Sequence, residues 1–115
     1  MAKRNGGFNF GGMGGGNMQK LVLQAQQMQA DAERVQSEIG AMEFSATTGG
    51  GMVTATVYGR KEVKSITINP ECIDPDDAEM LGDMVVSAVN EALRIADTTM
   101  NTELEKVTRG MPIGF

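Results

Sequence analysis

The chain has 115 residues, with ten Lys and Arg against fifteen Asp and Glu, no His and one Cys, for a formal net charge of −5. That length suits one small domain, and 41% hydrophobic against 22% charged residues places the chain among folded proteins. With Cys72 alone and no His, no Cys/His zinc site, Ser–His triad, Cys–His dyad or intramolecular disulfide can be assembled.

Apolar runs such as Met84-Val85-Val86 are far shorter than the roughly 20 residues a spanning helix needs. Lys3 and Arg4 are followed by glycines, not by the apolar stretch of a signal peptide. A lone thiol suits a reducing compartment. The expectation is a soluble, cytoplasmic protein.

Residues 1–16 hold seven of the fifteen glycines. Ordering glycine is entropically expensive, so this stretch reads as a flexible leader. It contains no G-x-G-x-x-G register and no closing Gly-Lys-Ser/Thr, which argues against a phosphate-binding loop. From Asn17, a competent N-cap, the pattern changes. Met18, Leu21, Ala25, Met28, Ala32, Val35, Ile39 and Met42 recur at alternating spacings of three and four. This is a coiled-coil-like seam on a helix of about 26 residues, about 39 Å long. A globule of this size has a radius of gyration of about 13 Å, so the helix should protrude and need a second helix over its seam.

Three strands follow. Phe44 to Thr48 runs into Gly49-Gly50-Gly51; Val53, Ala55 and Val57 alternate with Thr54, Thr56 and Tyr58; Glu62 to Asn69 carries Ile66 and Ile68 on one face. Val63 has the opposite parity, which predicts a bulge or an edge position there. Short loops predict an antiparallel meander. Asp74-Pro75 reads as the N-cap and first residue of a second helix. Its stripe, from Met80 and Leu81 through Ala88, Ala92 and Ala96 to Val107, ends at Gly110. The predicted class is α+β in the order αβββα: one domain over 17–110 and a tail over 111–115.

No catalytic or metal constellation emerges. Residues 70–83 carry six acids and no base, but from Asp74 an EF-hand template fails, with Ala78 and Glu79 at its fifth and sixth positions. Acids near a helix start are explained by the helix dipole. Cys72, among acids, reads as a small apolar filler, not a nucleophile. The glutamines of the first helix read as solvated surface, and its methionines as seam. No cofactor and no small-molecule substrate are expected.

Basic residues fall in groups: Lys20 after the leader, Arg60, Lys61 and Lys64 at the second sheet turn, and Lys106 and Arg109 near the end of the last helix. Residues 44–69 sum to +2 although the chain is acidic. A twofold dimer would double each cluster, and such clusters grip phosphates.

The chain resembles the YbaB/EbfC nucleoid-associated proteins over nearly its whole length. The resemblance is carried by the Gly- and Met-rich leader, Met18-Gln19-Lys20-Leu21, Ala25-Gln26-Gln27-Met28-Gln29 and Gly-Gly-Gly-Met-Val-Thr-Ala-Thr-Val at 49–57. Ile66-Thr67-Ile68-Asn69-Pro70 and Asp83 through Asp97 complete it. It implies a tweezer-like homodimer that binds double-stranded DNA with low sequence specificity, organises or coats the bacterial nucleoid, and influences gene expression. It brings no catalytic motif, so the protein is expected not to be an enzyme. Candidate DNA contacts are Lys20, Arg60, Lys61, Lys64, Lys106 and Arg109; the candidate dimer seam is Leu21, Ala25, Met28, Ala32, Val35 and Ile39. A rival reading is a protein-interaction module whose Met-rich helix clamps a partner, for instance a replication or recombination protein.

Overall fold

A computed structural model describes residues 6–109, with side chains described from Asn17 onward. Helix α1 (Gly6–Ala41) leads into three strands, β1 (Glu43–Thr48), β2 (Val53–Tyr58) and β3 (Val63–Ile68). A 3-10 turn (Pro70–Cys72) then precedes helix α2 (Ala78–Arg109). The strands form one antiparallel sheet in the order β1-β2-β3, so the α+β class and the αβββα order stand. Helix α1 starts at Gly6, which makes Asn17 an interior position and not a cap. Extending an existing helix adds one hydrogen bond per residue fixed, a far easier step than nucleation. Residues 1–5 of the predicted leader and the predicted tail at 111–115 lie outside the described residues.

The alternation in β2 sorts its residues cleanly. Val53, Ala55 and Val57 are fully buried, while Thr54, Thr56 and Tyr58 face the other way. Helix α2 covers the buried face with Ala88, Ala92 and Ala96, four residues apart and each at 0% exposure. These alanines let the helix axis lie close to the sheet, and among the described residues no fully buried side chain is larger than valine. Two clusters result. One joins Ala46, Val57, Ala92 and Ala96 beneath Phe44, and the other joins Val53, Ala55 and Ala88 beneath Ile68, Cys72 and Leu81. Cys72 thus sits as an apolar filler. The Thr48 hydroxyl donates to the Met84 carbonyl (2.8 Å), tying β1 to the helix. Ala92→Leu should lower stability by about 1–3 kcal/mol, because three extra heavy atoms have no room between helix and sheet. A fall in the urea midpoint at unchanged m-value would show it.

Two local features depart from or sharpen the sequence reading. Asp77, not Asp74, caps α2: its carboxylate accepts from the Met80 amide at 3.1 Å, while Asp74 accepts from the Asp76 amide in the preceding turn. Either aspartate can cap; the proline after Asp74 ends up in the turn. The parity break at Val63 is a β-bulge: Thr56 pairs with Ser65 but Val57 pairs with Val63, leaving Lys64 as the extra residue.

The turn joining β2 to β3 docks on the end of α1. The Gly59 amide donates to the Met42 carbonyl and the Arg60 amide to the Gly40 carbonyl, satisfying acceptors that the helix end leaves without intrahelical partners. A Cβ on Gly59 would lie 1.9 Å from the Ile39 carbonyl oxygen, so only glycine permits this approach. Past the sheet, α2 runs antiparallel beside α1. There Glu103, Lys106 and Val107 share a groove of about 400 Å³ with Val35 and Ile39, among others. Helix α1 continues beyond this pairing as an arm. The radius of gyration is 24.0 Å and the long dimension 82 Å, against about 13 Å for a compact chain of this size.

Candidate functional site

The densest basic group lies on the β2–β3 turn. Lys61 has φ +68, the one positive φ at a non-glycine among the described residues. Its amide closes the turn on the Tyr58 carbonyl (2.8 Å). Arg60 stacks its guanidinium 4.2 Å from the Tyr58 ring centroid, with its Nη1 3.4 Å from the Gly40 carbonyl. The bulge brings Lys64 to the same side of the sheet as Tyr58, where its ammonium reaches Glu43 on β1. Arg60 and Lys64 therefore lie on the Tyr58 side of this end of the sheet, which the end of α1 braces, while Lys61 reaches Asp97 on α2 across the other side.

Each of these cations has a carboxylate. Arg60 pairs with Glu62 (2.8 Å), Lys61 with Asp97 (2.6 Å) and Lys64 with Glu43 (2.7 Å). Three positive and three negative charges leave the cluster neutral, in contrast to the surplus that its sequence segment suggests. All six side chains are 43–61% exposed, and exposed pairs contribute about 0–1 kcal/mol each. Phosphate oxygens can therefore displace these carboxylates at little energetic cost. The hydrogen bond to Glu43, with the charge attraction behind it, raises the Lys64 ammonium above its ordinary 10.5. A raised ammonium pKa means the pair's contribution is complete below 10.5 and disappears as pH climbs through the folded midpoint. Glu43→Gln should return Lys64 to the ordinary value, read from the pH titration of its side-chain NMR signals.

The other predicted contacts are spread along the molecule. Lys106 pairs with Glu103 (2.9 Å) and Arg109 with Glu105 (3.4 Å). At 1.5 Å per residue they lie about 14 and 18 Å along α2 from Asp97, the partner of Lys61. Lys20 is exposed on the α1 arm, about 30 Å along the helix from Gly40. The six residues thus form stations along the long axis, not one patch. Arg34, outside the basic groups that the sequence marks, shares the α1–α2 groove with Lys106 and is ion-paired to Asp31 and Glu38. Its carboxylates three and four residues away were the available signal. Arg94, also outside those groups, donates to Glu91, and this hydrogen bond holds the Glu91 carboxyl below its ordinary value.

The candidate seam divides in two. Val35 and Ile39 are buried, with α2 of their own chain alongside. Met28 and Ala32 are half-buried, and Leu21 and Ala25 are exposed. Met18, Val22 and Leu23 add to the exposed apolar surface of the arm. A second uncovered strip lies on β3. Val63 and Ile66 pair with the fully buried Val57 and Ala55 and so share their face, yet stay 44% and 39% exposed, because α2 leaves this edge uncovered. Among the described residues, no three carboxylates or thiols converge as a metal site, and no helix is long and apolar enough to cross a membrane.

Comparison with known proteins matches this arrangement to relatives. A nucleoid-associated protein of Clostridium acetobutylicum is 53% identical over 90% of this chain and 93% of its own length. One from Clostridium botulinum is 54% identical over 100% of this chain and 99% of its own. In structure, an uncharacterized protein of Helicobacter pylori superposes with a TM-score of 0.57 at 18% identity, over 68% of this chain and 90% of that one, which supports the fold. The model of the YbaB/EbfC DNA-binding family, which is not an enzyme family, matches residues 13–111. With that match spanning the arm, the sheet and α2, the chain belongs to the YbaB/EbfC DNA-binding family.

Proposed function

We propose that this protein is a nucleoid-associated, non-enzymatic DNA-binding protein that acts as a homodimer and grips duplex DNA through its phosphates. The supporting observation is the end of the sheet at the β2–β3 turn, where Arg60, Lys61 and Lys64 stand on either side of a braced turn in exposed pairs weak enough to exchange for phosphate. Lys20, Lys106 and Arg109 extend the contact along the arm and α2. Phosphate contacts fix position and carry no base information, which accounts for low sequence specificity, and a coated duplex is the setting in which gene expression is affected. The cytoplasm and nucleoid are the corresponding location. The dimer is supported by the two uncovered strips: the exposed half of the seam from Leu21 to Ala32, and the β3 edge with Val63 and Ile66.

Fluorescence anisotropy of a labelled duplex, repeated across a salt series, tests the DNA reading. Binding should weaken with a log–log slope of about −0.9 per neutralised phosphate. No binding at about 50 mM salt, where screening is weak, would dismiss it. Sedimentation tests the dimer: the parent should be dimeric at micromolar concentration and Ile66→Glu monomeric.

One observation favours a second reading, a protein-interaction module. Met18, Val22 and Leu23 line a shallow groove of about 440 Å³ on the arm with Gln19 and Gln26. Partner binding of this kind, to a replication or recombination protein, would be abolished by Leu23→Glu and indifferent to Lys64→Gln.

A further inference from the structure

The face of the sheet turned away from α2 carries an ordered set of hydroxyls. In the strand register Ser45 pairs with Thr56 and Thr56 with Ser65, while Thr47 pairs with Thr54 and Thr54 with Thr67. Directly paired residues project to the same side, and the opposite side is the buried one of Val53, Ala55 and Val57. Two parallel rows of three hydroxyls therefore cross the sheet, every member exposed or half-exposed. Neighbours within a row lie about 4.8 Å apart and the rows about 6.7 Å apart, comparable with the step from one backbone phosphate to the next. Only Ser45 and Thr56 bond to each other (2.8 Å); the other four hydroxyls have no side-chain partner among the described residues.

Threonine suits a strand, so its presence alone indicates nothing. The composition of these two rows does. A solvent face ordinarily mixes charges of both signs for solubility, yet none of the chain's fifteen carboxylates falls in these rows. Nor does any apolar side chain large enough to anchor a protein partner. At one end the face runs on into the pair Glu43 and Tyr58, where Arg60 stacks on the ring and Lys64 pairs with Glu43, the one carboxylate the strand register places on this face.

We propose that this hydroxyl face is a platform on which the phosphodiester backbone of duplex DNA lies, its hydroxyls donating to phosphate oxygens beside the Arg60 and Lys64 cations. The inference rests on the DNA-binding reading and adds a surface to it. Hydroxyls displace no counterions, so they position the duplex without adding to the salt dependence.

The test uses the full-length protein in duplex anisotropy at several salt concentrations. Thr47→Val, Thr54→Val and Thr67→Val together keep strand-favouring residues and should weaken binding several-fold with the salt slope unchanged. Thr56→Glu should weaken it at least tenfold and Thr56→Lys strengthen it, whereas Ser87→Glu, an equal charge change at an exposed position on α2, should do much less. Circular dichroism and sedimentation matching the parent show that each variant is folded and assembled. Parent-like binding by the triple variant, together with Thr56→Glu no worse than Ser87→Glu, would overturn the platform while leaving DNA binding intact. Thr56→Glu disrupting self-association instead would identify the face as a contact between copies and equally overturn it. A parent that fails to bind the duplex at about 50 mM salt removes the DNA reading itself.

Discussion

Among the glycines with described surroundings, Gly59→Ala should be the most damaging change, lowering stability by about 3 kcal/mol or more. The added Cβ would meet the Ile39 carbonyl oxygen at 1.9 Å and its carbon at 2.7 Å, and both belong to the backbone. No rotamer change relieves such a contact. Either the β2–β3 turn lifts off the end of α1, breaking the Gly59–Met42 and Arg60–Gly40 hydrogen bonds, or the strand ends separate. Gly40→Ala is the internal control. Its Cβ would sit 3.7 Å from the Arg60 Cβ, ordinary contact, in helical backbone, so it should be neutral or stabilising by about 0.5–1 kcal/mol. At about 4–8 °C per kcal/mol for a domain of this size, thermal melts should separate the two variants by well over 10 °C. Equal melting temperatures would mean that the turn does not seat on the helix as described.

Replacing Arg60, Lys61 and Lys64 together with Gln should change DNA binding more than any other surface alteration. Each phosphate-contacting cation contributes about 0.9 to the log–log salt slope, so the slope should fall by about 3 per protomer engaged. Removing the acidic partners should do the reverse. Glu43→Gln and Asp97→Asn free Lys64 and Lys61 from pairs that contribute at most about 1 kcal/mol to stability, so affinity should rise with the melting temperature nearly unchanged. If instead the acidic variants bind no better than the parent, the carboxylates do not compete with phosphate for these cations. Lys61→Gly provides a clean single variant, because glycine accepts the +68° φ that lysine adopts only with strain.

Most of the architecture was legible before any coordinates, for reasons visible in individual residues. The three-and-four spacing from Met18 to Met42 and the strict alternation of Val53, Ala55 and Val57 are periodicities that single elements impose. The parity break at Val63 located the bulge, because a bulge is itself a break in period. What stayed hidden depends on contacts between distant residues. Val35 and Ile39 look no different in sequence from Leu21 and Ala25, and only the course of α2 beside α1 distinguishes the buried half of the seam from the exposed half. The basic cluster was legible as a run of residues, but not its neutrality. Lys61 finds Asp97 and Lys64 finds Glu43 across 36 and 21 positions, separations that no regional charge sum detects. The hydroxyl rows needed the strand register, because Ser45, Thr56 and Ser65 belong to one row only once three strands are aligned.

The alanine stripe of α2 has a thermodynamic consequence. A helix seated on a sheet through methyl groups encloses a thin core, and at about 25 cal/mol per Å² the hydrophobic gain per residue is correspondingly modest. Native-state stability is then open to mass action: any species that binds the folded form alone adds RT ln(1 + [L]/Kd) to it. With the homodimer and the DNA binding proposed above, unfolding midpoints should climb with protein concentration and with added duplex, so that a melting curve of this small protein doubles as a binding isotherm.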